Sequence, residues 1–514
     1  MDFEFMLRKQ RPKAQHFIFL LALLFGLKMD SFAISDRAAP LDGTFVDLGS
    51  QQMASLPDNK IAPFIDEIAG MGMHTIIIAA TRVKPGKCEE PVIHWVAGLP
   101  EKLGLVLSEA EKTGIQVYIG LTSSEETCTE FSQDPNAKTV IADTAQSVRT
   151  LQQLYGKSLA LAGWYIPDEP WYLPEEHIGY YRALVEAIHQ VSRKPILVSP
   201  YLVEVEEKFT PSEVGAMAAK FSKETGIDVQ LWQDSVGAQG TNLDWETRPR
   251  GLGKVEDYFR AISQAIGRDH LWSDNELFNC CVVVGTDYAQ STPYKPTSIS
   301  RLNAQLWATR QEFTSQRVSW LFQRHMGTVD PLHYVESPRL KAAYLAFYGI
   351  KGTYVQPVSY EWLNPALPGH RDTGNEMFDR KSGDPKSSED SRWVGFSGST
   401  RVIIDLGQSS SVDWVGVHLL QKSEKKIKFP SELQVECSPD RASWSDLGKW
   451  GMPPKTDDGE YLLSNLEPLG AECRYLRITL FNLAANFEGN IAANVVSGLV
   501  PMTFISEIEI VSDH

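Results

Sequence analysis

Between Asp42 and Ile350 the chain alternates short apolar runs with amphipathic segments. The runs are Thr44–Leu48, Thr75–Ala80, Ile115–Leu121, Leu161–Pro167, Pro195–Pro200, Ile227–Gln233, His270–Asp274 and Arg317–Gln323. Most are rich in β-branched or aromatic residues, as strands buried on both faces of a parallel sheet should be. Between them apolar residues return every three or four positions: Val148, Leu151 and Tyr155 after the third run, Ile178, Tyr181, Val185 and Ile188 after the fourth. That is the period of a helix with one buried face. Eight strand–helix units in succession predict an α/β fold, a (β/α)8 TIM barrel spanning residues 40–350. A doubly wound open sheet is the alternative. It would place a glycine-rich phosphate loop after the first strand, and Asp47-Leu48-Gly49-Ser50-Gln51 is not one.

After Lys351 the pattern changes. Tyr360 to Ser391 is rich in Pro, Gly, Asp and Ser, and short alternating runs follow at Arg401–Leu406, Trp414–Leu420, Glu432–Cys437, Arg474–Leu480 and Phe504–Val511. No helix-length run intervenes, so residues 351–514 read as an all-β sandwich. The polar stretch Ser382–Asp390 is expected to be a surface loop within it.

A length of 514 residues exceeds what one hydrophobic core usually serves, consistent with this division. The first residues belong to neither part. Arg8, Lys9, Arg11 and Lys13 precede an apolar run from Phe17 to Leu27, and Ser31-Phe32-Ala33 offers small residues where a signal peptidase reads. Residues 1–33 therefore read as a cleavable secretory signal, with cleavage after Ala33. The run is too short to span a bilayer, and no later one is long enough, so no membrane span is expected after cleavage.

The formal charge is −16. The leader holds five basic and three acidic residues, so its removal leaves −18. So acidic a protein should repel nucleic acid and anionic lipid. Six cysteines fit an oxidising compartment without building a disulfide scaffold. Cys88 with Cys128 and Cys437 with Cys473 are the expected pairs, and the adjacent Cys280 and Cys281 are left free or strained.

The candidate chemistry sits at strand ends. In Gly163-Trp164-Tyr165-Ile166-Pro167-Asp168-Glu169-Pro170-Trp171 an apolar strand runs into two carboxylates and then a proline that cannot continue the ladder. Trp272-Ser273-Asp274-Asn275-Glu276 offers another acid at the end of the seventh run. Strand ends on the C-terminal rim are where barrels do chemistry. Two carboxylates facing each other there are what glycosidic bond cleavage requires, so Glu169 is expected as general acid/base and Glu276 as nucleophile. A second mechanism uses the neighbours Asp168 and Glu169 alone: one orients a substrate 2-acetamido group while the other protonates the leaving oxygen. Arg82, Tyr165, Trp171, Tyr201, Trp232, Gln233, Asp234, Trp272, Trp320 and Gln323 are candidates for holding sugar, the aromatics by stacking. His325 lies near the end of the eighth run. Catalysis needs no cofactor in either scheme.

At these residues the chain resembles a family of secreted bacterial TIM-barrel proteins, a domain of unknown function with glycoside-hydrolase-like character. Gly43-Thr44-Phe45-Val46, the Gly163–Pro170 stretch, Gln233-Asp234-Ser235-Val236-Gly237 and Trp272–Phe278 carry the resemblance over about residues 40–350. It implies a sugar-processing barrel. The two glutamates also resemble those of the large retaining glycosidase clan, but Asp168-Glu169 stands where that clan has Asn-Glu and is similar instead to the substrate-assisted N-acetylhexosaminidases. Met377-Phe378-Asp379, Trp393-Val394-Gly395-Phe396, Ile403–Gly407, Arg474–Ile478 and Glu507-Ile508-Glu509-Ile510 resemble a discoidin, or coagulation-factor 5/8 C-type, domain. That resemblance implies carbohydrate binding and a structural calcium near Asp379 and Glu507. The reading is an exported glycoside hydrolase with a carbohydrate partner. The alternatives are a non-catalytic glycan-binding protein and a polysaccharide lyase, which would need a Tyr or His base at the pocket centre.

Overall fold

The structure is a computed structural model and describes residues 37–49, 53, 55–84, 94–95, 99–124, 137–170, 175–202, 208–237, 253–279, 295–329, 336–374, 376–452, 458–482 and 501–513. The expected leader, Trp171 and the cysteines Cys88, Cys128, Cys280 and Cys281 lie outside these residues. Among the described residues no helix is long and apolar enough to cross a membrane.

Eight parallel strands close into a barrel: β1 Gly43–Val46, β2 Thr75–Ile78, β3 Gln116–Gly120, β4 Leu161–Ile166, β5 Ile196–Val198, β6 Val229–Gln233, β7 Leu271–Glu276 and β8 Gln316–Trp320. Neighbours pair in sequence order, and β8 returns to β1 through Gly43↔Val318 and Thr44↔Ser319. The open-sheet alternative is thereby excluded. Helices α1 Ile61–Gly70, α2 Leu99–Thr113, α3 Ala137–Tyr155, α4 Glu175–His189, α5 Pro211–Thr225, α6 Gly253–Ile266 and α7 Ile299–Ala308 each follow one strand, and a short α8 Phe322–His325 and then α9 Ser337–Phe347 follow β8. α5 shows how local sequence sets these limits. Thr210 and Glu213 form a capping box, Pro211 fills the first turn, and Gly226 ends the helix at φ 78°.

The barrel interior is filled by Phe45, Ile77, Tyr118, Tyr165, Leu197, Leu231, Trp272 and Val318, one or more from each strand. Gly163 makes room for this packing, since a Cβ there would stand 2.6 Å from the Tyr118 ring. At the N-terminal end the buried Arg317 on β8 pairs with Asp42 at 2.8 Å, pinning the closing strands together.

Two five-stranded antiparallel sheets make up the sandwich, with β9 Thr353–Tyr354, β10 Ser359–Trp362, β11 Val394–Ser397, β12 Thr400–Val412, β13 Trp414–Gln421, β14 Glu432–Ser438, β15 Ser445–Gly451, β16 Gly459–Ser464, β17 Ala471–Phe481 and β18 Met502–Ser512. One sheet runs β9–β18–β13–β16, with β11 also on β18; the other runs β10–β12–β17–β14–β15. Val415, Val417 and Leu419 of β13 face Val402, Ile404, Leu433, Val435 and Ile478 across the core. Cys437 and Cys473 are disulfide-bonded, joining the adjacent strands β14 and β17 at a Cα–Cα distance of 5.5 Å. β13 and nearly all of β18 are buried on both faces, unlike a surface sheet. Their second face is covered by the barrel: Arg301 of α7 pairs with Glu460 of β16, and Arg339 of α9 with Glu509 of β18. Barrel and sandwich form one compact unit, Ala39–His514.

Candidate active site

Strand periodicity decides what faces the barrel mouth. On β7 Trp272 belongs to the interior cluster, whereas Leu271 belongs to the helix layer. Side chains alternate with a period of two. Asp274 and Glu276 therefore share the inward face of Trp272. Asn275 points outward, where its Nδ2 donates to Asp234 at 3.0 Å and to Thr309 at 3.1 Å. On β4 Tyr165 points inward and stacks edge-on to Phe45 of β1, 5.2 Å between centroids. The strand ends at Ile166, whose carbonyl accepts from the Asp168 N–H at 2.9 Å. That tight turn sends Asp168 and Glu169 to different surroundings. Asp168 is buried, and its charge is felt by the buried Tyr181 hydroxyl of α4. Glu169 opens to solvent at the mouth, where the Gln233 side-chain amide donates to it.

The electrostatics bring the two strand ends together. The Asp274 carboxyl lies well above the ordinary aspartate range, first through burial and then through the charges of Glu276, Asp234 and Glu169. One acid thus feels the carboxylates ending both β4 and β7. Asp274 Oδ1 is buried with no hydrogen-bond partner among the described residues, which further favours the protonated form. Asp168 is raised to about 7 by burial and by Glu169. Glu169 is open to water on one side but walled by the mouth on the others. Desolvation raises its carboxyl, and the Gln233 bond offsets part of the rise. Tyr165 is held well above the usual tyrosine range by burial and by Glu169, Asp274 and Asp168, so its hydroxyl stays a donor.

Glu276 is seated by the turn that follows β6. Asp234 Oδ1 accepts from the N–H of Val236 at 3.1 Å and of Glu276 at 3.4 Å, and Gln305 Nε2 of α7 donates to Asp234 Oδ2 at 2.8 Å and to the Glu276 carbonyl at 3.0 Å. Gly237 completes the seat. A Cβ there would lie 2.8 Å from the Glu276 Cβ and 3.0 Å from its Oε2, so only glycine lets the turn lie against this side chain.

The same barrel decides the family, because residues 41–332 match the one described as "Domain of unknown function (DUF4434)", more than half of the chain. The chain belongs to the DUF4434 family. No curated protein matches it. Among solved structures, a Bacteroides thetaiotaomicron protein assigned as an alpha-L-fucosidase is similar at 16% identity over 63% of this chain and 98% of that one, with a TM-score of 0.48. The exo-beta-1,4-mannosidase Op5Man5 from Opitutaceae bacterium strain TAV5 follows at 15% identity, 61% and 58% coverage and a TM-score of 0.37. The carbohydrate-binding module CBM32 of AlyQ covers 31% of this chain and 97% of its own at 18% identity, with a TM-score of 0.21. These are likenesses of outline, and neither residue roles nor substrates pass from them to this chain.

In this DUF4434 barrel the expected sugar contacts divide by strand parity. Tyr165, Gln233 and Trp320 line the interior or its rim, Trp320 tilted against Phe45 at 4.9 Å. Tyr201 extends the rim by bridging to Gln233. Trp232 corrects the expectation of a stacking face: it points outward into the helix layer, 1% exposed, its Nε1 bonded to Gln230. Trp272 does face inward but is packed edge-on against Tyr118 below the mouth. Asp234 and Gln323 are buried supports, the latter donating to the Asp47 carbonyl at 3.1 Å. Arg82 stands at the rim with its Nε bonded to Asp143 at 2.8 Å, so its charge is already matched. His325 is buried against Phe278, and desolvation lowers it to about 3, which leaves it without a proton to give at neutral pH. Asp274 and Ser199 were not among the expected residues. The period-two repeat from Trp272 would have found the first. The second, linking the Leu231 carbonyl and Gln233, carries no sequence signal beyond its strand end.

In the sandwich, burial and the mutual repulsion of Asp379 and Glu507 raise Glu507 well above the ordinary glutamate range, while burial lifts Asp379 to about 6. Glu507 Oε2 accepts from the Arg380 N–H at 3.0 Å, and its Oε1 is buried without a partner. Two hard oxygen donors with one orphaned lone pair fit a calcium ion in part. Among the described residues no cluster of three or more acidic, His or Cys side chains stands ready to hold a metal.

Proposed function

We propose that this protein hydrolyses glycosidic bonds, with Glu169 as general acid/base and Glu276 as the attacking carboxylate. The observation that carries the reading is Asp274, an inward acid of β7 that senses both Glu276 beside it and Glu169 from β4. Glu169, raised by its surroundings, gives its proton to the departing oxygen as Glu276 bonds to the anomeric carbon. Glu169, now ionised, then takes a proton from the water that cleaves the glycosyl ester. Gln233 orients Glu169, and the partly exposed Trp320 offers an apolar wall for the ring. The neighbouring-group scheme is less well served, because Asp168 is buried beside α4 rather than open to the mouth.

The reading is tested by assaying a panel of aryl glycosides with the wild type and Glu169→Gln. Loss of the acid should lower kcat for poor leaving groups by about 10²–10⁴-fold. It should also remove the alkaline fall in rate, which in the wild type follows ionisation of Glu169 above the ordinary glutamate range. Equal turnover by Glu169→Gln would exclude the assignment. Glycan binding with no turnover of any bound glycan would favour a binding protein instead.

The leader-like N-terminus supports placing this activity outside the cytoplasm. For the sandwich we propose a calcium ion held by Asp379 and Glu507. Carboxyls raised in the folded state cost stability as pH climbs from the unfolded value near 4 through the folded one. A bound cation relieves that cost. The rise in melting temperature on adding calcium should therefore grow between about pH 4 and pH 7, and Asp379→Asn should abolish it. A calcium shift that does not change with pH, or that survives the substitution, would place the ion elsewhere.

A further inference from the structure

Helix α7 is unusual for the outer ring of a barrel: it is buried on every side, from Ile299 through Leu306. Its inner face carries Gln305, which bonds Asp234 and the Glu276 carbonyl. Its outer face meets the sandwich. The fully buried Arg301 reaches both ways: Nη2 donates to the Val236 carbonyl at 2.6 Å, in the turn that seats Glu276, while Nη1 pairs with Glu460 of β16. Glu460 is held in turn by His418 of β13, whose Nε2 stands 2.9 Å from the second carboxylate oxygen. The other ring nitrogen lies 2.9 Å from the Ser506 hydroxyl. Burial and the charges of Arg301 and Arg339 hold His418 down at about 3, so the ring is neutral.

A second sandwich acid grips the start of the same helix. Glu509 Oε1 accepts from the Ile299 N–H at 3.1 Å, the first amide of α7, while its Oε2 takes a bond from Arg339 of α9 at 2.8 Å. A carboxylate at a helix N-terminus meets unpaired N–H groups and the positive end of the dipole. Glu460, Glu509 and His418 lie on strands whose alternation would otherwise turn them to solvent. All three are buried against α7 and α9.

We propose that Glu460 and Glu509 of the sandwich are positioning residues for the barrel's mouth: they fix α7, and α7 fixes the Asp234–Gly237 turn and the end of β7 that carries Glu276. The sandwich is then a structural part of the catalytic unit rather than a module appended to it. The inference rests on the reading of Glu276 as the attacking carboxylate, but its first test does not.

The test compares Glu460→Ala, Glu460→Gln and Glu509→Gln in the full-length protein by hydrogen exchange without substrate. Amide exchange in the 234–237 turn should accelerate by about tenfold in Glu460→Ala, with distant strands such as β2 unchanged. Glu460→Gln keeps the shape and a polar oxygen facing Arg301, so it should recover part of the protection. On a glycoside that the wild type turns over, kcat should fall roughly 10- to 100-fold while KM stays within about threefold, the mark of a displaced reacting group. If Glu460→Ala does not fold, Glu509→Gln carries the same two readouts. Unchanged exchange in the turn overturns the proposal, as does acceleration spread evenly over the barrel. If the wild type proves to be no glycosidase, the exchange result alone decides whether the sandwich holds the turn.

Discussion

Glu276→Gln is expected to fold like the wild type and to lose glycoside turnover by at least about 10³-fold, because an amide cannot form the glycosyl ester. The fold should survive because every backbone tie of this residue is kept: its N–H to Asp234 and its carbonyl to Gln305. The isosteric amide also still fits against Gly237, where a residue with a Cβ would already collide. The substitution has a second, independent signature. The charge of Glu276 is the largest influence after burial in raising Asp274, so its removal should lower the Asp274 titration, readable by carbon NMR of labelled aspartates. Replacing Glu276 with Gly should open space for azide, and azide should restore turnover by supplying the missing nucleophile. A Glu276→Gln protein that turns over glycosides at the wild-type rate would sink the two-carboxylate mechanism. An Asp274 titration that does not move would separate the two acids in space.

Much of the barrel was legible because strands buried on both faces leave a strong imprint. Thr75-Ile76-Ile77-Ile78 admits few other readings, and each expected run overlaps an observed strand within a few residues. The end of β7 was less clear. Ser273-Asp274-Asn275-Glu276 looks like a polar loop, yet all four residues are buried, two among the acids of the mouth and two against the β6–α7 seam. Polar residues lengthen a strand here because the site needs them there.

The sandwich was harder to read. β15 and β16, with the short strands β9, β10 and β11, gave no clear alternation. Ser445–Gly451 is largely exposed and polar, and the two residues of β9 are too few to show a period. The Glu507-Ile508-Glu509-Ile510 repeat reads as a strand with one wet face. The wet face is dry because the barrel covers it, and no local pattern announces a surface lost to a distant part of the chain. A different cause explains Trp232. Its strand was expected correctly, but whether an aromatic at a strand end faces the mouth or the helices depends on parity, which short apolar runs do not reveal.

Removing Arg301 should be the most destabilising single change outside the hydrophobic core. Arg301→Met leaves Glu460 as a buried carboxylate with only a neutral histidine beside it, and stripping one partner from such a pair costs about 3–5 kcal/mol. The double replacement Arg301→Met with Glu460→Leu removes both charges and should recover most of that loss, since apolar residues of similar volume often match a buried ion pair. Urea unfolding of the three proteins gives the order directly: wild type and double variant close together, the single variant well below. The deficit should also depend on pH. In the wild type burial and the cationic neighbours hold His418 down at about 3, so its protonation opposes folding as pH drops below the ordinary histidine range. Without Arg301, and with Glu460 unpaired, His418 can take up a proton and become the missing counter-ion. The gap between single variant and wild type should therefore narrow on acidification from about pH 7 toward pH 5. A gap that is absent, or that widens as the pH falls, would mean that Arg301 and Glu460 do not rely on one another, and the buried link between sandwich and barrel mouth would lose its central pair.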